Sequence, residues 1–283
     1  MALGARRPTL WFFLIAFGMP WIGWSAIRVF GLQPSPLRTA LFYTGDFCSV
    51  GGLVAMYLHS GKAGLQDLLR RAVRIKVSPL WWLLTIAIPL TLGIGGYLIA
   101  GLLRDGVGSI ALAGFATYGT RPVLMNFTTG PWGEELGWRG YLTPRLLQTR
   151  NAVVVSLIVG FLWGIWHVPL YVDSVFSTFG GGALFTLNTM LSSVIMTAIL
   201  LHTRGSVLVA VIYHWLINAT GWVLPRVFVG FGHGAEQIRS SAELGVKVTV
   251  VLVLIAVLGK NLTRDPEAPE QVRSWWGGSR DGV

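Results

Sequence analysis

Charge is scarce in this sequence. Of its 283 residues only 12% are Asp, Glu, Lys or Arg, against roughly 25% in soluble globular domains. A soluble surface cannot be assembled from so few charges. Cysteine is nearly absent as well: Cys48 is the single one, which excludes an intrachain disulfide and any multi-cysteine metal cage. No Gly-x-Ser-x-Gly elbow and no His-Glu-x-x-His motif occurs, so serine-hydrolase and zincin chemistry lack their usual sequence support. Nor is there an internal repeat or a long linker.

What is present is apolar. Hydrophobic residues make up 53% of the chain, mean hydropathy is +0.62, and there are 36 glycines and 13 tryptophans. The fold class this implies is all-α, a polytopic transmembrane helical bundle. Eight stretches approach the ~20 apolar residues that a span requires. They run Leu10 to Phe30, Thr39 to His59, Leu80 to Leu103, Val123 to Leu146, Asn151 to Tyr171, Gly182 to Leu201, Ser206 to Leu224 and Leu244 to Leu258. The fourth is the weakest, because it contains Glu134, Glu135 and Arg139. The first exceeds the ~7 to 15 residues of a cleavable signal core and reads as an uncleaved helix.

The net charge of +10 would point to nucleic acid in a soluble protein, but no basic stripe with interleaved aromatics supports that partner. The charge reads instead as topology. With the N-terminus inside, the inner connections hold Arg6, Arg7, Lys62, Arg70, Arg71, Arg74, Lys76, Arg145, Arg150, Arg204, Lys260 and Arg264. The outer ones hold Arg28, Arg38, Arg104, Arg121, Arg226, Arg239 and Lys247, with Arg121 and Lys247 as exceptions to the trend. The bias favours both termini in the cytoplasm. Residues 1–260 then form one membrane domain and 261–283 a short polar cytoplasmic tail, whose Trp275 and Trp276 suit the membrane interface. Residues 61–78 separate basic from apolar side chains and read equally as a surface amphipathic helix or as a solvated loop.

Ionisable residues inside spans cost roughly 2.5 to 3.5 kcal/mol at a helix centre, so each needs a reason. The set is Asp46, Glu134, Glu135, Arg139, His167 and His214; His59 and His202 sit at span ends and His233 in a loop. On a helix Glu135 and Arg139 share a face and neutralise each other, whereas Glu134 points about 100° away with no partner of its own. An unpaired buried carboxylate suits a general base. If the fourth and fifth spans form a hairpin turning near Arg150, Glu134 and His167 stand level, about 24 to 26 Å from the turn at ~1.5 Å per residue. Pro144 counts against this by inviting a kink. In the seventh span His214 and Asn218 share one face, so Asn218 either fixes the imidazole tautomer or joins His214 in donating to an oxyanion. A carboxylate, two imidazoles and an amide can activate water without metal, and Glu134, His167 and His214 can alternatively hold zinc. Both routes lead to hydrolysis. The bland readings are a cluster that only locks helices together, a packed histidine and an interhelical asparagine bond.

Glu134-Glu135-x-x-x-Arg139, the aromatic Trp163 four residues before His167, and His214-x-x-x-Asn218, in that order on successive helices, resemble the CPBP intramembrane proteases. That family takes in CAAX prenyl endopeptidases and bacteriocin-processing and immunity proteins, and the resemblance covers roughly residues 123–224. Trp163 stands where the family often has Phe. The resemblance implies an intramembrane endopeptidase acting on a membrane-associated peptide or protein, with CAAX-type prenylated peptides among the candidates. It implies Glu134 as the residue that activates water, Glu135 and Arg139 as supports, His167 as a water-positioning group, and His214 with Asn218 as oxyanion or metal ligands. Family members have been described both as zinc enzymes and as glutamate-dependent enzymes without metal, so the cofactor is none or zinc. The expected location is the bacterial cytoplasmic membrane. The competing functions are a non-catalytic membrane immunity or regulatory partner and an ion-coupled transporter. A transporter would ideally show an inverted repeat, and none is seen.

Overall fold

A computed structural model describes residues 7–103, 109–110, 126–127, 130–230 and 233–276. Arg6, Arg104, Arg121 and the start of the expected fourth span at Val123 lie outside the described residues. The chain folds as a helical bundle, and the start of each site-bearing helix has a local cause. Helix α1 (Pro8–Val29) and α2 (Pro36–Phe42) begin with proline in the first turn, where a missing N–H costs nothing. A short 3₁₀ turn, Tyr43–Asp46, leads into α3 (Phe47–Ala72), and α4 is Pro79–Leu103. Then comes α5, built from Pro131–Glu135, a π-helical stretch Leu136–Leu142, and Thr143–Leu147. The next three helices each open on a capping side chain. Asn151 accepts from Val154 N–H to start α6 (Ala152–Trp166), Thr178 from Gly181 N–H to start α7 (Phe179–His202), and Ser206 from Val209 N–H to start α8 (Val207–Val227). The chain continues into α9 (His233–Leu258) and α10 (Ala268–Ser274). A two-residue antiparallel ladder pairs Ser109 with Val229 and Ile110 with Phe228.

Six helical segments among the described residues are long and apolar enough to cross a membrane: 8–29, 36–72, 79–103, 179–202, 207–227 and 237–258. The eight-span expectation differs at α5 and α6. Here α6 is 15 residues long, and α5 is broken by its π stretch, so neither is by itself a full-length apolar helix. These are the segments that carry the polar motifs. Pro144 does not end α5; it falls in the first turn after the π stretch, where proline is tolerated. The segment expected as a surface helix or loop is helical to Ala72, turning at Gly61, whose φ of 61° only glycine adopts cheaply. His233, read as a loop residue, begins α9.

The packing of α3 on α5 sets the position of the site. A Cβ on Gly52 would lie 2.6 Å from the Leu136 carbonyl, and one on Gly137 would run into Cys48, so both helices meet at backbone distance. Small residues permit this approach where apolar solvent offers no hydrophobic drive. Helices α6 and α7 pack antiparallel, with Gly160 against the Met190 backbone and the Thr189 hydroxyl 2.9 Å from the Gly160 carbonyl. The C-terminal segment is docked too. Trp275 and Trp276, expected at the interface, are buried, the first under the Arg71 guanidinium at 5.3 Å and the second edge-on to His59 and Tyr141. The physical reason is Arg71, which is wholly buried, pairs with Asp67 at 2.8 Å and donates to the Gly140 carbonyl.

Candidate active site

Three helices bring the expected residues to one cavity of about 510 Å³. Glu134 enters from α5, Trp163 and His167 from the end of α6, and His214 and Asn218 from α8; all five line it. Glu134 and Glu135 are both buried but have separate partners, as their 100° divergence requires. Glu134 Oε2 accepts a 2.6 Å hydrogen bond from the Trp163 indole N–H. Glu135 Oε1 accepts from Arg139 Nη1 at 3.1 Å and bonds His214 Nδ1 at 2.7 Å. The π-helical stretch begins directly after Glu135, and such stretches recur at functional sites because they re-aim side chains within a continuous helix.

The imidazole partners constrain the chemistry. His167 Nδ1 lies 2.9 Å from the Trp163 carbonyl, an acceptor, so Nδ1 carries the proton and Nε2 of the neutral ring is a free acceptor. The ring is stacked on Tyr171, centroids 5.5 Å apart and nearly parallel, with Phe185 and Trp166 edge-on to it. Similarly, the His214 tautomer is set by Glu135 and not by Asn218, the residue one turn along that the spacing suggested. A carboxylate accepts from Nδ1–H and leaves His214 Nε2 as acceptor in the neutral ring; a second proton makes Nε2 a donor, and Glu135 stabilises the imidazolium so formed. Trp163 ties the groups together. Besides its bond to Glu134, its ring stacks edge-on with His214 at 5.0 Å and carries the Arg139 guanidinium over its face at 4.7 Å.

Asn218 and His214 both reach the cavity, as their shared face predicts. The Asn218 amide nitrogen lies 3.7 Å from where a Cβ on Gly130 would stand, in ordinary van der Waals range. Asp46 also lines the cavity, from the 3₁₀ turn before α3, and it sits against Gly133, where any side chain would strike it. The possible zinc ligands Glu134, His167 and His214 all line the cavity. Among the described residues no three His, Cys, Asp or Glu side chains converge closely enough to hold an ion. No step below passes through a metal ion.

Sequence reasoning missed other members of the cavity wall. Tyr171 and Phe185 are aromatic residues in apolar surroundings and send no motif signal. Asn188 and Ser192 lie on α7, and behind them is Lys247. Lys247 was read as a charge on an outer connection; it is instead 1% exposed within α9. The available signal was its place inside the run Val246 to Leu258, where a lone cation needs a partner.

Residues 117–220 match the family described as "Type II CAAX prenyl endopeptidase Rce1-like". A curated Methanococcus maripaludis protein named CAAX prenyl protease 2 is 35% identical over 104 residues, which is 34% of this chain and 38% of that protein. The chain therefore spans little more than a third of that relative's length, and the family match over residues 117–220 contains Glu134, Trp163, His167, His214 and Asn218.

Proposed function

We propose that the chain is a CPBP-type intramembrane endopeptidase that hydrolyses a peptide bond with a water activated by Glu134, a reading supported by the family match over residues 117–220. The observation that carries this reading is the convergence of Glu134, His167, His214 and Asn218 on one cavity. A hydrolytic water donates one hydrogen to Glu134 and the other to His167 Nε2, the acceptor left free by the Trp163 carbonyl bond. Glu134 then takes the proton as the water oxygen attacks the carbonyl carbon, and passes it to the leaving amine. Trp163 holds the carboxylate in place with its indole N–H. The developing oxyanion is met by the Asn218 amide and by doubly protonated His214, whose charge Glu135 compensates. Arg139 Nη1 donates to Glu135 Oε1 and holds it beside His214. Glu135 and Arg139 thus position groups and do not themselves react.

The substrate we propose is a membrane-associated peptide or protein, in an integral membrane enzyme of the bacterial cytoplasmic membrane. The cavity walls include Trp24, Phe42, Trp166 and Tyr171, which suit an apolar peptide or an isoprenoid chain. The relative's name adds a CAAX-type prenylated peptide as the first class to try. The test is cleavage of farnesylated and unmodified peptides by the purified chain in detergent, with products identified by mass. Glu134→Gln and His167→Ala each lower turnover at least a hundredfold while the variants unfold like the parent. Full activity in both would remove Glu134 and His167 from the mechanism.

A further inference from the structure

Asp46 has no part in the chemistry above, yet close contacts on two sides hold it in place. The 3₁₀ turn Tyr43–Asp46 is pinned to α1, where the Trp24 indole N–H donates to the Phe42 carbonyl at 3.0 Å. A Cβ on Gly23 would lie 2.6 Å from the Leu41 carbonyl and run into Thr44, and one on Gly45 would lie 2.9 Å from the Trp24 ring. The other side of the turn is pinned to α5. There a Cβ on Gly133 would stand 2.9 Å from the Asp46 Cα and strike its carboxylate. Small residues at all three contacts allow this approach, and the carboxylate is preorganised before any ligand arrives.

Firmly held as it is, the carboxylate is unanswered. It is half-buried and lines the cavity. Among the described residues no donor bonds it, and no lysine or arginine lines that cavity. The neighbouring carboxylates differ, since Glu134 accepts from Trp163 and Glu135 pairs with Arg139. A charge withdrawn from bulk water without a counter-ion is costly. The wall that Asp46 shares is aromatic: Trp24, Phe42, Tyr43 and Trp166 line the same cavity, and Trp24 meets Trp166 edge-on at 4.7 Å. Ring faces attract ammonium and guanidinium groups, and their breadth covers the methylene stem that carries such a group. A purely apolar group would use the rings and leave Asp46 unpaired. An acidic group would be repelled by both Asp46 and Glu134.

We propose that Asp46, with the rings of Trp24, Phe42 and Tyr43, forms a subsite for a lysine or arginine side chain of the peptide bound in the cavity. The inference rests on the endopeptidase reading for its ligand. Gly133 directly precedes Glu134, so the subsite lies beside the proposed base and selects a basic residue near the scissile bond. The contact is made equally in ground and transition states, which places the selectivity in KM and not in kcat.

The experiment uses a short apolar peptide with a blocked N-terminus, in which lysine or norleucine occupies each position in turn. Binding to the full chain in detergent, carrying Glu134→Gln, is followed by tryptophan fluorescence, and cleavage of the same peptides is followed with the unsubstituted protein. Glu134→Gln removes the other cavity carboxylate, so a preference for lysine that persists belongs to Asp46. At one position or two adjacent ones the lysine peptide binds about tenfold tighter than its norleucine counterpart, as expected for a charge-assisted contact. Asp46→Asn brings that ratio to near one, whereas Asp46→Glu retains a preference for lysine. Equal affinities at every position in the Glu134→Gln chain, or no binding of any peptide, overturn the proposal without any need for an Asp46 variant to fold. An Asp46→Asn protein that keeps the ratio, or that loses both peptides equally, also overturns it, the second result being what a purely structural role for the turn would give. If lysine is preferred in binding through Asp46 while the unsubstituted chain cleaves nothing, the endopeptidase reading falls and the cation subsite stands. Cleavage of lysine and norleucine peptides with equal KM at every position has the opposite meaning.

Discussion

The Trp163 indole N–H reaches Glu134 Oε2 at 2.6 Å across the α5–α6 contact, and the same ring separates Arg139 from the cavity. One aromatic side chain therefore orients the proposed base on its edge and screens a buried cation on its face. The two functions separate by substitution. Trp163→Phe keeps a ring over Arg139 but removes the donor, and turnover drops about tenfold with KM little changed, in keeping with loss of one hydrogen bond to a charged group. Trp163→Ala removes both and lowers thermal stability as well, by about 3 to 5 kcal/mol as for a large buried aromatic. Steady-state kinetics and detergent unfolding on the two variants check this; equal activity in Trp163→Phe would show that the N–H does not orient Glu134.

In the proposed mechanism the Asn218 amide meets the developing oxyanion. Asn218→Ala removes a donor felt mainly in the transition state, so kcat falls about 10² to 10³-fold while binding of an uncleaved peptide changes little. A rise in KM at unchanged kcat would instead mark Asn218 as a substrate-binding group.

Because the donor set does not gather around an ion, activity is expected to survive prolonged treatment with a zinc chelator, and metal analysis of the active protein to give well under one zinc per chain. Loss of activity on chelation, restored by zinc at stoichiometric amounts, would overturn the metal-free mechanism and require the site to rearrange.

Much of the site was legible in the sequence because intramembrane charges are so few. Glu134, Glu135, Arg139, His167 and His214 stand out against apolar neighbours, and helical spacing alone separates the two glutamates and joins Glu135 to Arg139. Spacing within a helix cannot reveal contacts between helices. For that reason the His214–Glu135 bond, the aromatic walls from Tyr171 and Phe185, and the Lys247–Asn188 contact come only from the packed structure. The span count differed for a related reason: an apolar run that carries site residues is long in sequence but is divided by the π stretch of α5 and ends early in α6.

The contact of α3 with α5 holds Glu134 and Glu135 in register, and it depends on glycine. Gly52→Ala places a methyl 2.6 Å from the Leu136 carbonyl, which is backbone and cannot rotate away. The helices must part, and a destabilisation of about 1 to 3 kcal/mol follows, with kcat reduced because the carboxylates move with α5. Gly95→Ala on α4, which meets nothing, serves as the control and is expected to alter neither. A Gly52→Ala protein as stable and active as the parent would show that the helices are not held at backbone distance.

On the surface, Arg28 of α1 and Asp173 after α6 form a bidentate pair with both nitrogens 2.8 Å from the carboxylate. The hydrogen bonds from Arg28 hold the Asp173 carboxyl below its usual range. A depressed value means the contribution to stability is present above the unfolded carboxyl range and is lost as pH falls through the lower folded one. Both groups are more than half exposed, so solvent and salt screen the pair. Asp173→Asn is therefore expected to leave the unfolding midpoint at pH 7 within about 1 °C of the parent, and the small difference should disappear in high salt. A large shift at pH 7 would mean that the pair closes the loop after α6 onto α1 with more than surface strength.

The ion pair behind the site is the opposite case. Glu135 and Arg139 are both wholly buried, and Glu135 also serves His214. Glu135→Ala leaves the Arg139 charge without its partner and is expected to cost about 3 to 5 kcal/mol. The double variant Glu135→Leu, Arg139→Met removes both charges and fills the space with apolar groups, so stability returns towards the parent value. Activity does not return, because His214 has then lost the carboxylate that fixes its tautomer and stabilises its imidazolium. Unfolding in detergent and peptide cleavage, measured together over the two variants and the parent, separate the structural role of the pair from its chemical one. Recovery of cleavage along with stability in the double variant would reduce Glu135 and Arg139 to a helix clamp.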